Sequence, residues 1–201
     1  MPGLVVCISH ATGAGGEEVG RIVSERLGFR YVDEEIVFDA AAKEGVDPAV
    51  ISAVERRRSR LGRLQLDFVT GGALEEGLRE LIRTTLHATA DEGDVVVVAH
   101  AASVALAGRE NVLRVLVTAT ASTRARRLAQ GDPIGLDDAT EAVGRSDRGR
   151  ADYLRRFYGV EREQPTDYDV VLNTDQLTTE QAAALVVEAA RLLGSASESG
   201  S

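Results

Sequence analysis

The stretch LVVCISHATGAGGEEVGRIVSERLGFRYVD, residues 4–33, decides the fold. Leu4 to Ser9 is a short apolar run that ends in glycines, which reads as a buried strand feeding a loop. Over residues 17–27, Val19, Ile22, Val23 and Leu27 recur at helical spacing, and Glu17 and Glu18 stand in the first turn where the helix dipole favours acids. Gly28 stops that helix, and Phe29 to Asp33 reads as a second strand. Strand, glycine loop, helix and strand form a βαβ unit, so a parallel sheet is expected.

Outward from this unit the alternation continues. Residues 34–92 contain no convincing strand and read as about three helices, with Asp47-Pro48 as one helix start and Gly71-Gly72 as a break before another. Asp94 to Ala99 is a β-branched central strand, Val112 to Thr118 is another, and an arginine-bearing helix follows from about Ser122. A last strand at Asp169 to Asn173 precedes a Thr-capped helix over 179–193. Five strands alternating with helices predict an α/β three-layer sandwich around a five-stranded parallel sheet, with 34–92 as a helical insert and the ligand at the carboxyl ends of the strands. Residues 1–193 form one expected domain. The small polar residues 194–201 are an expected frayed tail.

Composition narrows the function. The chain has 201 residues, enough for one substantial core. A net charge of −9 argues against a nucleic-acid partner. Without an apolar run of the roughly 18 to 20 residues a membrane helix requires, no membrane partner is expected. Cys7 is the only cysteine and no basic leader precedes the first strand, so a cytoplasmic location is expected. Lys43 is the only lysine.

That single lysine tests two glycine-loop fingerprints. A dinucleotide G-x-G-x-x-G beginning at Gly13 and Gly15 needs glycine where Glu18 stands, and a Tyr-x-x-x-Lys pair would need tyrosine where Asp39 stands. The Walker pattern G-x-x-x-x-G-K-[ST], with Gly15 as its second glycine, places His10 at the first glycine, Gly16 at the lysine and Glu17 at the hydroxyl. Backbone amides of Gly13, Ala14, Gly15 and Gly16 at a helix start still suit a phosphate. Glu17 beside that phosphate would repel it by roughly 1 to 3 kcal/mol. Turned away, Glu17 and Glu18 would simply complement the dipole.

Three stretches together resemble the cytidylate-kinase-like family, a branch of the P-loop nucleoside monophosphate kinases. ISHATGAGGEEVG is similar to that family's I-S-R-x-x-G-S-G-G-R-E-I-G, which already carries glycine in place of the Walker lysine. DEGDVVVVAHAASVAL is similar to its strand ending V-G-R-G-A. SDRGRADYLRRFYGVEREQPTDYDVVLNTDQLTTEQAA resembles its D-R-x-R-x-x-Y-x-x-x-F/Y-Y-G block and the Y-D-L-V-L-N-T strand that follows. Here the family's arginines are replaced by His10, Glu17 and His100.

The resemblance implies nucleotides as partners, ATP and Mg²⁺ as cofactors, and phosphoryl transfer to a nucleoside monophosphate such as CMP or dCMP. It places ATP phosphates on residues 13–18 and an arginine-bearing lid over 137–158. In that lid Arg148, Arg150 and Arg156 would clamp the moving phosphoryl group. Asp33, His100, Arg145 and Tyr153 would serve the acceptor. A solvated helix face laced with ion pairs is the plain alternative for the arginines, and a helix cap or a nucleoside contact are the two readings of Asp33. Arg124, Arg126 and Arg127 are expected on the surface, Asp175 in a turn and Cys7 in the core. His10 and His100, each following a strand, are expected at the ligand edge, where a phosphate contact or, with Cys7, a metal site are the readings. The rival to a kinase is a non-catalytic nucleotide- or phosphate-binding protein on the same fold.

Overall fold

The computed structural model describes residues 3–33, 73–99, 102–131 and 133–199. Five parallel strands form one sheet: β1 (Val5–His10), β2 (Arg30–Asp33), β3 (Val95–Val98), β4 (Val112–Thr118) and β5 (Val170–Asn173). Their spatial order is β2-β3-β1-β4-β5. Val5 pairs with Val95 on one side and with Val112 on the other, which puts β1 at the centre.

The helices are α1 (Gly16–Leu27), α2 (Ala73–Glu92), the single turn α3 (Ala102–Ala105), α4 (Ala121–Gly131), α5 (Leu136–Tyr158) and α6 (Thr179–Ser199). Residues 34–72 of the expected insert lie outside the described residues, and α2 is its last part.

β1 and β3 are buried along their whole length because helices cover both of their faces, and β3 is valine throughout. Val6, Ile8, Val96 and Val98 point to one side, where they pack with Val19 and Val23 of α1 and with Ala182, Ala183 and Val186 of α6. Val5, Cys7, Val95 and Val97 point to the other, under Leu86 and Ala90 of α2 and Ala102 of α3. Cys7 is therefore a packing residue, and burial pushes its thiol up to about 12.

Two sequence expectations shift. His10 does not follow β1 but is its last residue, paired with Val117. The terminal helix does not stop near Leu193; its backbone runs helical to Ser199 past Gly194, where no proline interrupts it, and the Ser195 hydroxyl donates to the Leu192 carbonyl.

Sheet order places the site. β1 is followed in space by β3 on one side and β4 on the other, so the chain leaves β1 at the point where the strand order reverses. That crevice is where ligands of open α/β sheets bind. The glycine loop, residues 11–15, occupies it.

Candidate functional site

The loop begins where β1 ends and turns tightly, with the Ala14 amide donating to the Ala11 carbonyl at 2.9 Å. Gly13 and Gly15 are left-handed (φ 80° and 84°), and Ala14 between them is not. Alternating hands are the backbone pattern of an anion-binding nest, and with the Ala14 amide spent on Ala11 its donors would be Gly13, Gly15 and the first turn of α1. The first bond within α1 runs from Val19 to the Gly15 carbonyl, so the amides before Val19 are the orphan donors of the helix start. Glu17 and Glu18 are exposed in that first turn, where they complement the dipole.

Gly16 and His10 explain the unusual register. A Cβ at residue 16 would sit 2.5 Å from Cγ and 3.0 Å from Cδ2 of His10. The imidazole, buried at 8% exposure, thus packs against the bare α-carbon of Gly16. Relative to the Walker pattern, the bulky residue and the glycine have exchanged ends of the loop. The space at the root of the missing lysine side chain is filled by a histidine from the strand.

The outward side of the loop is held by two arginines of α4, Arg124 and Arg127, both expected on the surface. Arg124 is 5% exposed and forks onto Asp147 of α5, Nη1 to Oδ1 at 2.8 Å and Nη2 to Oδ2 at 2.7 Å. It also donates to the carbonyls of Ala119 (3.0 Å) and Thr12 (3.3 Å). Arg127, half-buried, donates to the carbonyls of Gly13, Ala14 and Thr174 and to the Thr174 hydroxyl. The surface expectation holds for Arg126 alone. The reason is helical phase: Arg124 lies i to i+4 from Leu128, on the face turned inward.

α5, the expected lid helix, lies along α4 and touches the loop directly. The Ser146 and Thr12 hydroxyls are 2.6 Å apart. Arg150 is 7% exposed, its fork taken by Glu163 (Nε 2.8 Å, Nη2 2.6 Å), and its Nη1 donates to the His10 carbonyl at 3.3 Å. Burial works against that charge, but Glu163 outweighs it and raises the Arg150 pKa further. Tyr168 donates its hydroxyl to the same Glu163, and burial followed by that carboxylate pushes the phenol well above its ordinary range. Arg145 pairs with Glu141, and Arg155 with Asp152, both within the helix. Arg148 is exposed and has no ion pair among the described residues. The Tyr153 ring meets Tyr158 edge-on at 5.9 Å. The Arg156 side chain and all of His100 lie outside the described residues.

Asp33 ends β2 at the same sheet edge, two strands from the loop, with Arg21 of α1 at 3.8 Å. That Arg21 guanidinium also covers the Tyr31 ring at 4.8 Å. Asp175, just after β5, accepts from the Thr120 amide at 3.0 Å and the Thr120 hydroxyl at 2.9 Å. It is the turn residue expected, and it fastens the start of α4.

Two structural residues gave no signal in the sequence. The Ser9 hydroxyl donates to Ser103 at 3.0 Å, tying α3 to β1, and Ser9 is fully buried. Among the described residues no group of three or more His, Cys, Asp or Glu gathers around a possible cation, and no helix is long and apolar enough to cross a membrane.

Comparison with known proteins agrees with this architecture. The chain is 29% identical to a cytidylate kinase of Aeropyrum pernix over 93% of its own length and 99% of the relative's. It is 22% identical to a cytidylate kinase of Sulfolobus acidocaldarius over 90% and 91%. Among solved structures, an uncharacterized protein from Eubacterium ventriosum superposes with a TM-score of 0.70 at 12% identity, covering 94% of this chain and 98% of that one, a likeness of fold. The profile of the cytidylate kinase-like family matches residues 5–176, and with its glycine loop at the head of a five-stranded parallel sheet the chain belongs to that family, on a P-loop nucleoside monophosphate kinase fold.

Proposed function

We propose that this protein transfers the γ-phosphoryl group of ATP to a nucleoside monophosphate, with CMP or dCMP first among acceptors because the curated relatives are cytidylate kinases. One observation carries the reading: the loop with alternating hands at Gly13 and Gly15 lies at the sheet's switch point and heads a 12-residue helix. Those donors suit the phosphates of ATP. Mg²⁺ would be carried mainly by phosphate oxygens and water, where it would neutralise charge.

Acceptor binding is assigned to the β2 side of β1, near Asp33; His100, the other residue expected there, lies outside the described residues. Arg148 is the lid cation assigned to the moving phosphoryl group, and Arg150 is assigned a positioning role, since its fork is occupied by Glu163. Transfer would be direct and in line, so positioning and charge neutralisation do the catalysis.

A second reading, binding of nucleotide without turnover, is favoured by His10, which stands in place of the family's arginine and packs its ring against Gly16 instead of offering a guanidinium. A coupled assay for ADP, run with each nucleoside monophosphate and Mg²⁺, separates the two. Turnover with one cytidine monophosphate supports the kinase. Saturable ATP binding with no ADP formed from any acceptor supports the binding protein and sinks the kinase reading.

A further inference from the structure

We infer that Arg127 and Thr174 are positioning residues that aim the loop amides by holding the loop carbonyls from behind; the inference rests on the phosphate-cradle reading above. In a peptide unit the carbonyl and the following N–H point in opposite directions. Fixing the carbonyls of Gly13 and Ala14 therefore fixes where the amides of Ala14 and Gly15 point.

The bracing is specific. Arg127 Nη1 donates to the Gly13 carbonyl at 3.5 Å and to the Ala14 carbonyl at 3.4 Å. The Thr174 hydroxyl donates to the Ala14 carbonyl at 2.9 Å, with the Thr118 carbonyl a longer option at 3.2 Å. Arg127 is itself fixed at both ends of its fork, Nη1 on the Thr174 hydroxyl at 2.9 Å and Nη2 on the Thr174 carbonyl at 2.6 Å. One unit further back, Arg124 holds the Thr12 carbonyl and so the Gly13 amide. Of the three amides thus aimed, that of Ala14 is spent on Ala11, which leaves Gly13 and Gly15, the two left-handed residues, to face an anion. Thr174 is fully buried, so its hydroxyl acts on a phosphate only through the loop. The turn after β5 and α4 therefore hold the conformation of a loop that starts on β1.

The test uses the whole chain and calorimetric titration with inorganic tripolyphosphate and with ATP·Mg²⁺. Thr174→Val keeps the volume and removes the hydroxyl, and the expected result is roughly tenfold weaker binding of both probes. Thr174→Ser should bind as the parent does. Arg127→Lys keeps the charge at the loop but loses the fork, and it too should weaken binding about tenfold. Amide hydrogen exchange at residues 13–16 should quicken in both weakened variants while exchange in β1 and β4 stays unchanged. Parent-like binding in Thr174→Val and Arg127→Lys would overturn the bracing and leave the cradle standing. A parent protein that binds neither probe would overturn the cradle and the bracing together.

Discussion

Two arginine-bearing helices flank the glycine loop, and they use their charges in different ways. On α4, Arg124 and Arg127 turn inward and bond backbone carbonyls of the loop. On α5 the arginines divide: Arg150 is buried against Glu163, Arg145 and Arg155 pair along the helix, and Arg148 faces solvent. The number of arginines in a segment therefore says little about how many can meet a ligand. What decides is which of them face a carboxylate or a carbonyl first.

The largest effect that would sharpen this contrast is on stability. Arg150→Ala leaves the partly buried Glu163 and the Tyr168 hydroxyl without their cation, at a cost of about 3 kcal/mol. For a domain of this size that lowers Tm by roughly 6 to 12 °C, measurable by calorimetry without any nucleotide. Arg150→Met combined with Glu163→Leu should cost less, since both charges leave together. An unchanged Tm with phosphoryl transfer abolished would return Arg150 to the lid role.

Arg148 is the opposite case. Exposed and without an ion pair among the described residues, it should change stability by no more than about 0.5 kcal/mol when replaced by alanine. If it closes on the phosphoryl group, kcat falls about a hundredfold, or ~2.7 kcal/mol of transition-state stabilisation, with KM for ATP little altered. Equal kcat values for Arg148→Ala and the parent would leave α5 without a catalytic cation among its described arginines.

The third prediction concerns the exchange of residues along the loop. Gly16→Lys introduces a lysine at the Walker position, yet its Cβ would collide with the His10 side chain, so it should destabilise by about 1 to 3 kcal/mol and weaken ATP binding. Adding His10→Gly removes the obstacle and should recover much of that loss. A double-mutant cycle in urea unfolding measures the coupling. Additive effects would mean that the two residues do not compete for one space.

The fold was legible because its signals are local. The valines of β3 and the helical recurrence of Val19 and Val23 in α1 reflect faces that must be covered, and β4 runs over the expected residues Val112–Thr118. In the loop, the turns at Gly13 and Gly15 were equally legible, since left-handed backbone favours glycine at those two positions. The roles of Arg124, Arg127 and Thr174 were not. Each depends on which carbonyl lies opposite, and those partners are 47 to 160 residues apart. A partial clue existed for Arg124: its phase with Leu128 puts a charged residue on the apolar face of α4. A buried arginine demands a partner, but periodicity does not say that Asp147 supplies it. The contact between His10 and Gly16 was half visible, as a Walker register with its first glycine and its lysine replaced. Only the fold brings the two side by side.

The smallest effect lies at the edge strand, away from the arginines that hold the loop. Asp169 accepts from the Arg114 amide at 2.8 Å and from its guanidinium at 2.7 and 3.2 Å, clamping the start of β5 to β4. Partial burial works against the carboxylate, but the Arg114 donors outweigh it and hold its pKa below the ordinary range. A depressed carboxyl contributes stability above its unfolded pKa of about 3.9, and that contribution is lost as pH falls through the lower folded value. Asp169→Asn should therefore flatten the acid limb of the stability curve below roughly pH 4. Because the pair is part-exposed, the change should be about 0.5 kcal/mol or less and shrink in salt. An acid limb unchanged by the substitution would mean that the arginine tie at β5 stabilises nothing, leaving the buried forks at Asp147 and Glu163 as the arginine pairs that matter.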